Sequence, residues 1–259
     1  MVYVKLTLGV STSGRLTLRL RAPHSFPAQN SLPSWLPEFL LVAPVLLFSM
    51  VAHEYAHGYA ALKQGDETAY KLGRLTWNPL KHIDPFMTIL LPLITFATTR
   101  VAFGGAKPVP VDPRNYRNLK RGDIIVSLAG IVTNVLLAIL FIPLIIGLGV
   151  AGREAGMLRD SFALLQRMLL WGVVINLVLA SFNLIPIPPL DGSHVMKYLL
   201  PRALAIPYQR VGGYGLLILM LLLTVGRRAI DIWMKPAMLL TGRVYEIVAP
   251  YVLPVSWMS

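Results

Sequence analysis

The chain has 259 residues, 55% of them hydrophobic and only 14% charged, well under the roughly 25% charge of a soluble domain; lipid rather than water reads as its main solvent. It has no cysteine, so disulfides and thiolate metal sites are excluded and any metal must be held by His, Asp, Glu or water. The formal charge of +12 comes without a nucleic-acid motif, and reads as loop charge facing anionic headgroups of the bilayer rather than as a nucleic-acid surface.

Residues 1–33 contain Lys5, Arg15, Arg19 and Arg21 but no apolar run of signal-peptide length. Within them VYVKLTLGV and RLTLRLR alternate on either side of STSG, the pattern of a β-hairpin. Four long apolar stretches follow, at about 37–62, 124–150, 162–185 and 206–226, each approaching the roughly 20 residues a helix needs to cross a bilayer. A shorter run at 84–99, DPFMTILLPLITFATT, contains two prolines and reads as a short span or a re-entrant hairpin. Lys and Arg are spread so evenly over the loops that charge bias selects neither topology. The loop FGGAKPVPVDPRNYRNLKRGD (103–123) reads as extended, because residues before proline are pushed toward β or polyproline conformations. NLIPIPPLDG (183–192) breaks a helix at membrane depth, and the sequence after Arg228 is weakly amphipathic, as in interfacial helices. The expected fold is an all-α polytopic membrane protein of about 4–6 transmembrane helices, with short β-strand or re-entrant elements and an N-terminal β-hairpin. Its parts are an N-terminal extension (1–33), a membrane-embedded domain (34–226) and a C-terminal interfacial helical tail (227–259).

VAHEYAHGYAA (51–61) places two imidazoles and a carboxylate at the end of the first apolar stretch. Residues four apart on a helix share a face, so His53 and His57 can point at one metal, while Glu54, about 100° round the helix, can reach a water bound to it. That is the logic of H-E-x-x-H. A glutamate inside an apolar helix costs several kcal/mol without a partner, which marks it as functional by default; the bland alternative is a wetted helix end. A catalytic zinc usually takes three protein ligands and keeps one open position. Lys63 stands where a third histidine would complete one known pattern, and no glutamate follows Glu67 until Glu154, in a loop. Among the aspartates only Asp191 has a special frame, after Pro186, Pro188 and Pro189 and before Gly192. It is either the third ligand or the N-cap of the helix GSHVMKYLL. His194 is a competing ligand, and His82 in HIDP is either a contact near the site or an interfacial anchor.

HEYAH together with NLIPIPPLDG resembles the site-2 protease family of intramembrane zinc metalloproteases. That family pairs H-E-x-x-H on one transmembrane helix with N-x-x-P-x-P-x-L-D-G on a later one, and Asn183, Pro186, Pro188, Leu190, Asp191 and Gly192 meet the second motif. GRLTWNPLKHIDP, GGAKPVPVDPRNYRN and SLAGIVTN resemble the compact prokaryotic branch, so the likeness covers about residues 37–200. The resemblance implies one zinc per chain held by His53, His57 and Asp191, with Glu54 as general base. It places Asn183 against the substrate strand or the scissile carbonyl, and Asn134 fits the asparagine of a further family motif; Asn134 and, from its place in HIDP, His82 join Asn183 as candidate substrate-binding residues. It further implies a multi-pass protein of a prokaryotic cell membrane that cleaves transmembrane protein or peptide substrates in regulated intramembrane proteolysis. Ile131 and Met87 depart from the family pattern, and no stretch resembles a PDZ or CBS domain. The rival readings are a zinc-binding membrane scaffold or chaperone without protease activity, and a metal transporter.

Overall fold

A computed structural model describes residues 8–10, 16–18, 33, 35–99 and 104–254. Strands β1 (Leu8–Val10) and β2 (Leu16–Leu18) pair antiparallel, with Leu8 opposite Leu18 and Val10 opposite Leu16. The rest of the expected hairpin lies outside the described residues. From residue 33 onward the described chain is helices and loops, the all-α membrane architecture read from the sequence.

Helix α1 (Leu36–Gln64) opens with Pro37 in its first turn, where a missing N–H costs nothing, and closes at Gly65. Gly65 takes φ 111°, a left-handed cap that a side chain would strain. A single turn, α2 (Thr68–Lys71), leads into the first loop. Residues Pro85–Leu90 form a widened helical turn capped by the Asp84 side chain, continued by α3 (Leu91–Thr99). The expected re-entrant or short-span segment is thus a short apolar helix, below the length of a full crossing. Helix α4 (Leu119–Arg153), N-capped by the Asn118 side chain, and α5 (Arg159–Asn183) form the long central pair. The remaining helices are α6 (Asp191–Leu199), α7 (Arg202–Val211), α8 (Gly215–Thr224) and α9 (Arg227–Val248).

Three helical stretches, Leu36–Gln64, Leu119–Arg153 and Gly156–Asn183, are long and apolar enough to cross a membrane. The apolar run expected at 206–226 is divided: α7 and α8 meet at a bend of 82° and make a fourth span only if counted together. The glycines at 212, 213 and 215 sit at that break, where helix propensity is lowest. The expected short strands do not form among the described residues from 33 onward. Residues 104–112 form neither helix nor strand, and carry Pro108 and Pro110, which have no N–H to give a ladder.

The core lies where α1, α4, α5 and α9 meet: Val45, Ala138, Phe141, Ile145, Leu170, Val173, Leu177, Ala237 and Val248 are buried together. Helix α9 contributes two of these side chains, and Trp233 Nε1–H donates to the Ser181 carbonyl of α5 at 2.8 Å. This packing fixes α4 and α5 against the face of α1 that carries the histidines.

Candidate metal centre

His53 and His57 lie one turn apart on α1, both buried, with their rings edge to face at 4.6 Å between centroids. Their Nε2 atoms are 2.9 Å apart. The proton positions on these rings follow from their neighbours. The Gly172 carbonyl can only accept, so the Asn176 carboxamide turns its Nδ2 toward it, at 2.8 Å, and toward Ser49 Oγ, at 2.8 Å. Asn176 Oδ1 then accepts from Asn134 Nδ2 at 2.7 Å. Asn134 is left presenting Oδ1 to His53, whose Nδ1–H must donate, at 2.5 Å. His57 Nδ1–H donates in the same way to the Val126 carbonyl at 2.7 Å. Both rings therefore turn the lone pair of Nε2 inward.

Asp191 closes the set. Its Oδ2 lies 3.1 Å from His53 Nε2 and 3.3 Å from His57 Nε2. That oxygen is buried and has no hydrogen-bond donor, because the two nearest nitrogens offer lone pairs. Three buried acceptors within 4.8 Å of one another repel unless a cation sits between them. Gly130 of α4 backs the cluster: a Cβ built on it would fall 2.6 Å from the Nε2 atoms of both histidines, so no side chain fits there. Asp191 does not cap α6. The N-cap of α6 is Leu190, and the Asp191 side chain turns to the histidines.

Glu54, next to His53, accepts the Val109 N–H on Oε2 at 2.8 Å. Val109 belongs to the loop 104–112, which is tied to the neighbouring loop by Lys107 N–H donating to the His82 carbonyl at 2.8 Å. Arg74 donates to the carbonyls of Lys107 and Pro108 at 3.1 and 3.3 Å.

The remaining residues singled out in the sequence fall in different places. Asn134 is fully buried behind His53. His82 is fully buried in the loop, its Nε2–H donating to the Thr76 carbonyl at 2.9 Å. Asn183, at the end of α5, donates to the Leu179 carbonyl one turn back at 3.0 Å. His194 bonds Asp123 and stays out of the cluster. Ser49, Asn176, Gly130 and the Val126 carbonyl belong to the centre and were not singled out. Asn176 carried the one readable signal, an amide in the middle of an apolar run, WGVVINLVLA.

A helical membrane bundle with H-E-x-x-H on one helix and a distant aspartate completing a buried triad is the framework of a membrane-embedded metallohydrolase. Comparison with known proteins agrees with it. Peptidase family M50 matches residues 154–226, the part holding the Asp191 motif. A Bacillus subtilis (strain 168) protein named "Putative zinc metalloprotease YwhC" is 36% identical over 201 residues, covering 78% of this chain and 87% of its own. Rip2 of Mycolicibacterium smegmatis (strain ATCC 700084 / mc(2)155), which carries the same description, is 30% identical over 194 residues, covering 73% and 69%. No solved structure gives a significant match. The chain belongs to peptidase family M50, the site-2 proteases that its two motifs resemble.

Proposed function

We propose that this chain is an intramembrane zinc metalloprotease that hydrolyses peptide bonds within or near transmembrane segments of membrane-protein substrates, in regulated proteolysis at a prokaryotic cell membrane. The observation that carries the reading is the inward convergence of His53 Nε2, His57 Nε2 and Asp191 Oδ2 beside a glutamate that is not one of the three. Zinc, when held by these residues, supplies a Lewis acid for the scissile carbonyl and lowers the pKa of an attacking water toward about 7.

The chain's own groups do the rest. Glu54 takes the proton of the attacking water and delivers it to the leaving amine. The Val109 N–H holds one carboxylate oxygen and leaves the other for that water. A substrate helix hides its peptide bonds in its own hydrogen bonds, so it must unwind to be cut. The loop 104–112, whose Val109 bonds Glu54, pairs with the unwound strand in this reading. Asn183 turns its Nδ2 to its own helix and keeps Oδ1 for a substrate amide. Asn134 and His82 serve at one remove, Asn134 by setting the His53 tautomer and His82 by seating the loop. The catalytic unit is residues 34–226, with α9 packed on it and 1–33 as an extension.

The test is zinc content of the detergent-purified chain beside cleavage of a transmembrane substrate. Wild type should hold one zinc and cleave; Asp191→Ala should lose both. Glu54→Gln should keep its zinc and lose roughly 10²- to 10⁴-fold in rate, the range of general acid–base catalysis. Zinc bound without cleavage of any substrate would instead mark a scaffold.

A further inference from the structure

Asp123 is a buried carboxylate on α4, 3% exposed, outside the metal cluster. Its described polar partners all belong to α6. His194 Nδ1 lies 3.1 Å from Oδ1, the Tyr198 hydroxyl donates to Oδ2 at 3.0 Å, and the Lys197 ammonium pairs with the same oxygen. Lys197 also lies over the Tyr198 ring, 5.0 Å from its centroid. Helix α6 is short, nine residues, and Asp191 is its first.

We propose that Asp123 is a positioning residue for the metal centre: by binding three side chains of α6 it sets the rotation and depth of that helix, and so the point at which Asp191 Oδ2 meets His53 and His57. The inference rests on the zinc-site reading above. Positions 194 and 198 follow Asp191 by three and seven, the spacing of one helix face, so the face that aims Asp191 inward is the face that Asp123 grips. A slip of one residue along α6 would turn Asp191 by about 100° and withdraw its oxygen. Three partners on one buried carboxylate exclude that slip. Without Asp123 the Lys197 ammonium, on a side chain 20% exposed, has lost its partner and draws α6 toward solvent.

The experiment is zinc affinity of the full-length chain in detergent, by competition with a chelating dye, together with circular-dichroism melting. The variants are Asp123→Asn, the double change Asp123→Ala with Lys197→Met, Asp123→Glu, and Asp191→Ala as reference. We expect Asp123→Asn and the double variant to bind zinc 10- to 100-fold more weakly, the usual range for groups that orient ligands, with helical content kept. Asp123→Glu should recover part of the loss. Should the Asp123 variants fail to fold, Tyr198→Phe and His194→Gln, which remove one tie each, should show smaller losses in affinity. Affinity within twofold of wild type in every folded variant, whatever the melting temperature, would make Asp123 a purely structural group and overturn the inference. A wild-type chain that holds no zinc, indistinguishable from Asp191→Ala, would remove the metal centre itself.

Discussion

Gly130 carries a large consequence in the smallest possible side chain. His53 and His57 lie against it, and a methyl group there would stand 2.6 Å from both Nε2 atoms. Neither ring can retreat: His53 is held by Asn134, His57 by the Val126 carbonyl. Gly130→Ala is therefore expected to weaken zinc binding by at least roughly 10- to 100-fold, as loss of ligand orientation does elsewhere. Gly147→Ala on the same helix, where an added Cβ meets nothing within 4 Å, should leave it unchanged, and chelator competition on the two proteins decides the point. The same scale shows what a sequence can and cannot reveal. Two histidines four apart and an aspartate in a proline frame were legible because ligand chemistry restricts residue type. Gly130 and Asn176 were not singled out, since a glycine or an amide acquires its meaning only from what packs against it.

At the scale of elements, the loop 104–112 and the end of α1 hold one another. Asp66, just beyond the cap of α1, is fully buried and accepts from the Asp112 N–H at 2.7 Å, from Asn115 Nδ2 at 2.9 Å, and from the Thr68 hydroxyl and amide at 2.5 and 3.1 Å. Burial opposes its charge, but these hydrogen bonds outweigh burial and hold its carboxyl below the usual range. A carboxyl depressed on folding adds stability that is complete above its unfolded pKa, near 3.9, and is lost as pH falls through the lower folded value. The loop should thus stay docked at pH 4 and loosen only in stronger acid. Hydrogen exchange at the Asp112 and Val109 amides checks this. In Asp66→Asn protection should be weaker at neutral pH and should show no such acid step. Since Val109 also holds Glu54, the loosened loop is expected to slow cleavage while zinc stays bound. Of the stretch 103–123 read as extended, Pro113–Asn115 form a helical turn and α4 begins at Leu119; the anchoring of residues 104–112 by Asp66 and Glu54 was not legible, because the partners are 46 and 55 residues away.

For the whole molecule, hydropathy located the three long spans well; the residues after 226, read from the sequence as interfacial helix, form α9, which packs one face on α5 and joins the core. Periodicity reports that a helix has an apolar face and is silent on whether lipid or protein covers it. The residues just after α9, 250–253, are held as well. Gln166 of α5, fully buried, donates through Nε2 to the carbonyls of Ile145 and Tyr251 at 2.8 and 2.9 Å and accepts the Leu253 N–H at 2.9 Å. Arg153 at the end of α4 donates to the Pro250 carbonyl at 2.7 Å. Ending the chain after Val248 would leave part of the Gln166 amide buried without partners, at about 1–3 kcal/mol for each unmet group. The melting temperature should fall by several degrees, at roughly 2–4 °C per kcal/mol for a chain of this size. Zinc affinity should not change, because Gln166 and Asn176 are ten residues apart on α5, about 15 Å along the helix, and the polar network of the centre runs through Asn176. A truncated chain that lost its zinc would show instead that this buried clasp and the metal centre form one cooperative unit, which the separate hydrogen-bond networks at the two levels of α5 argue against.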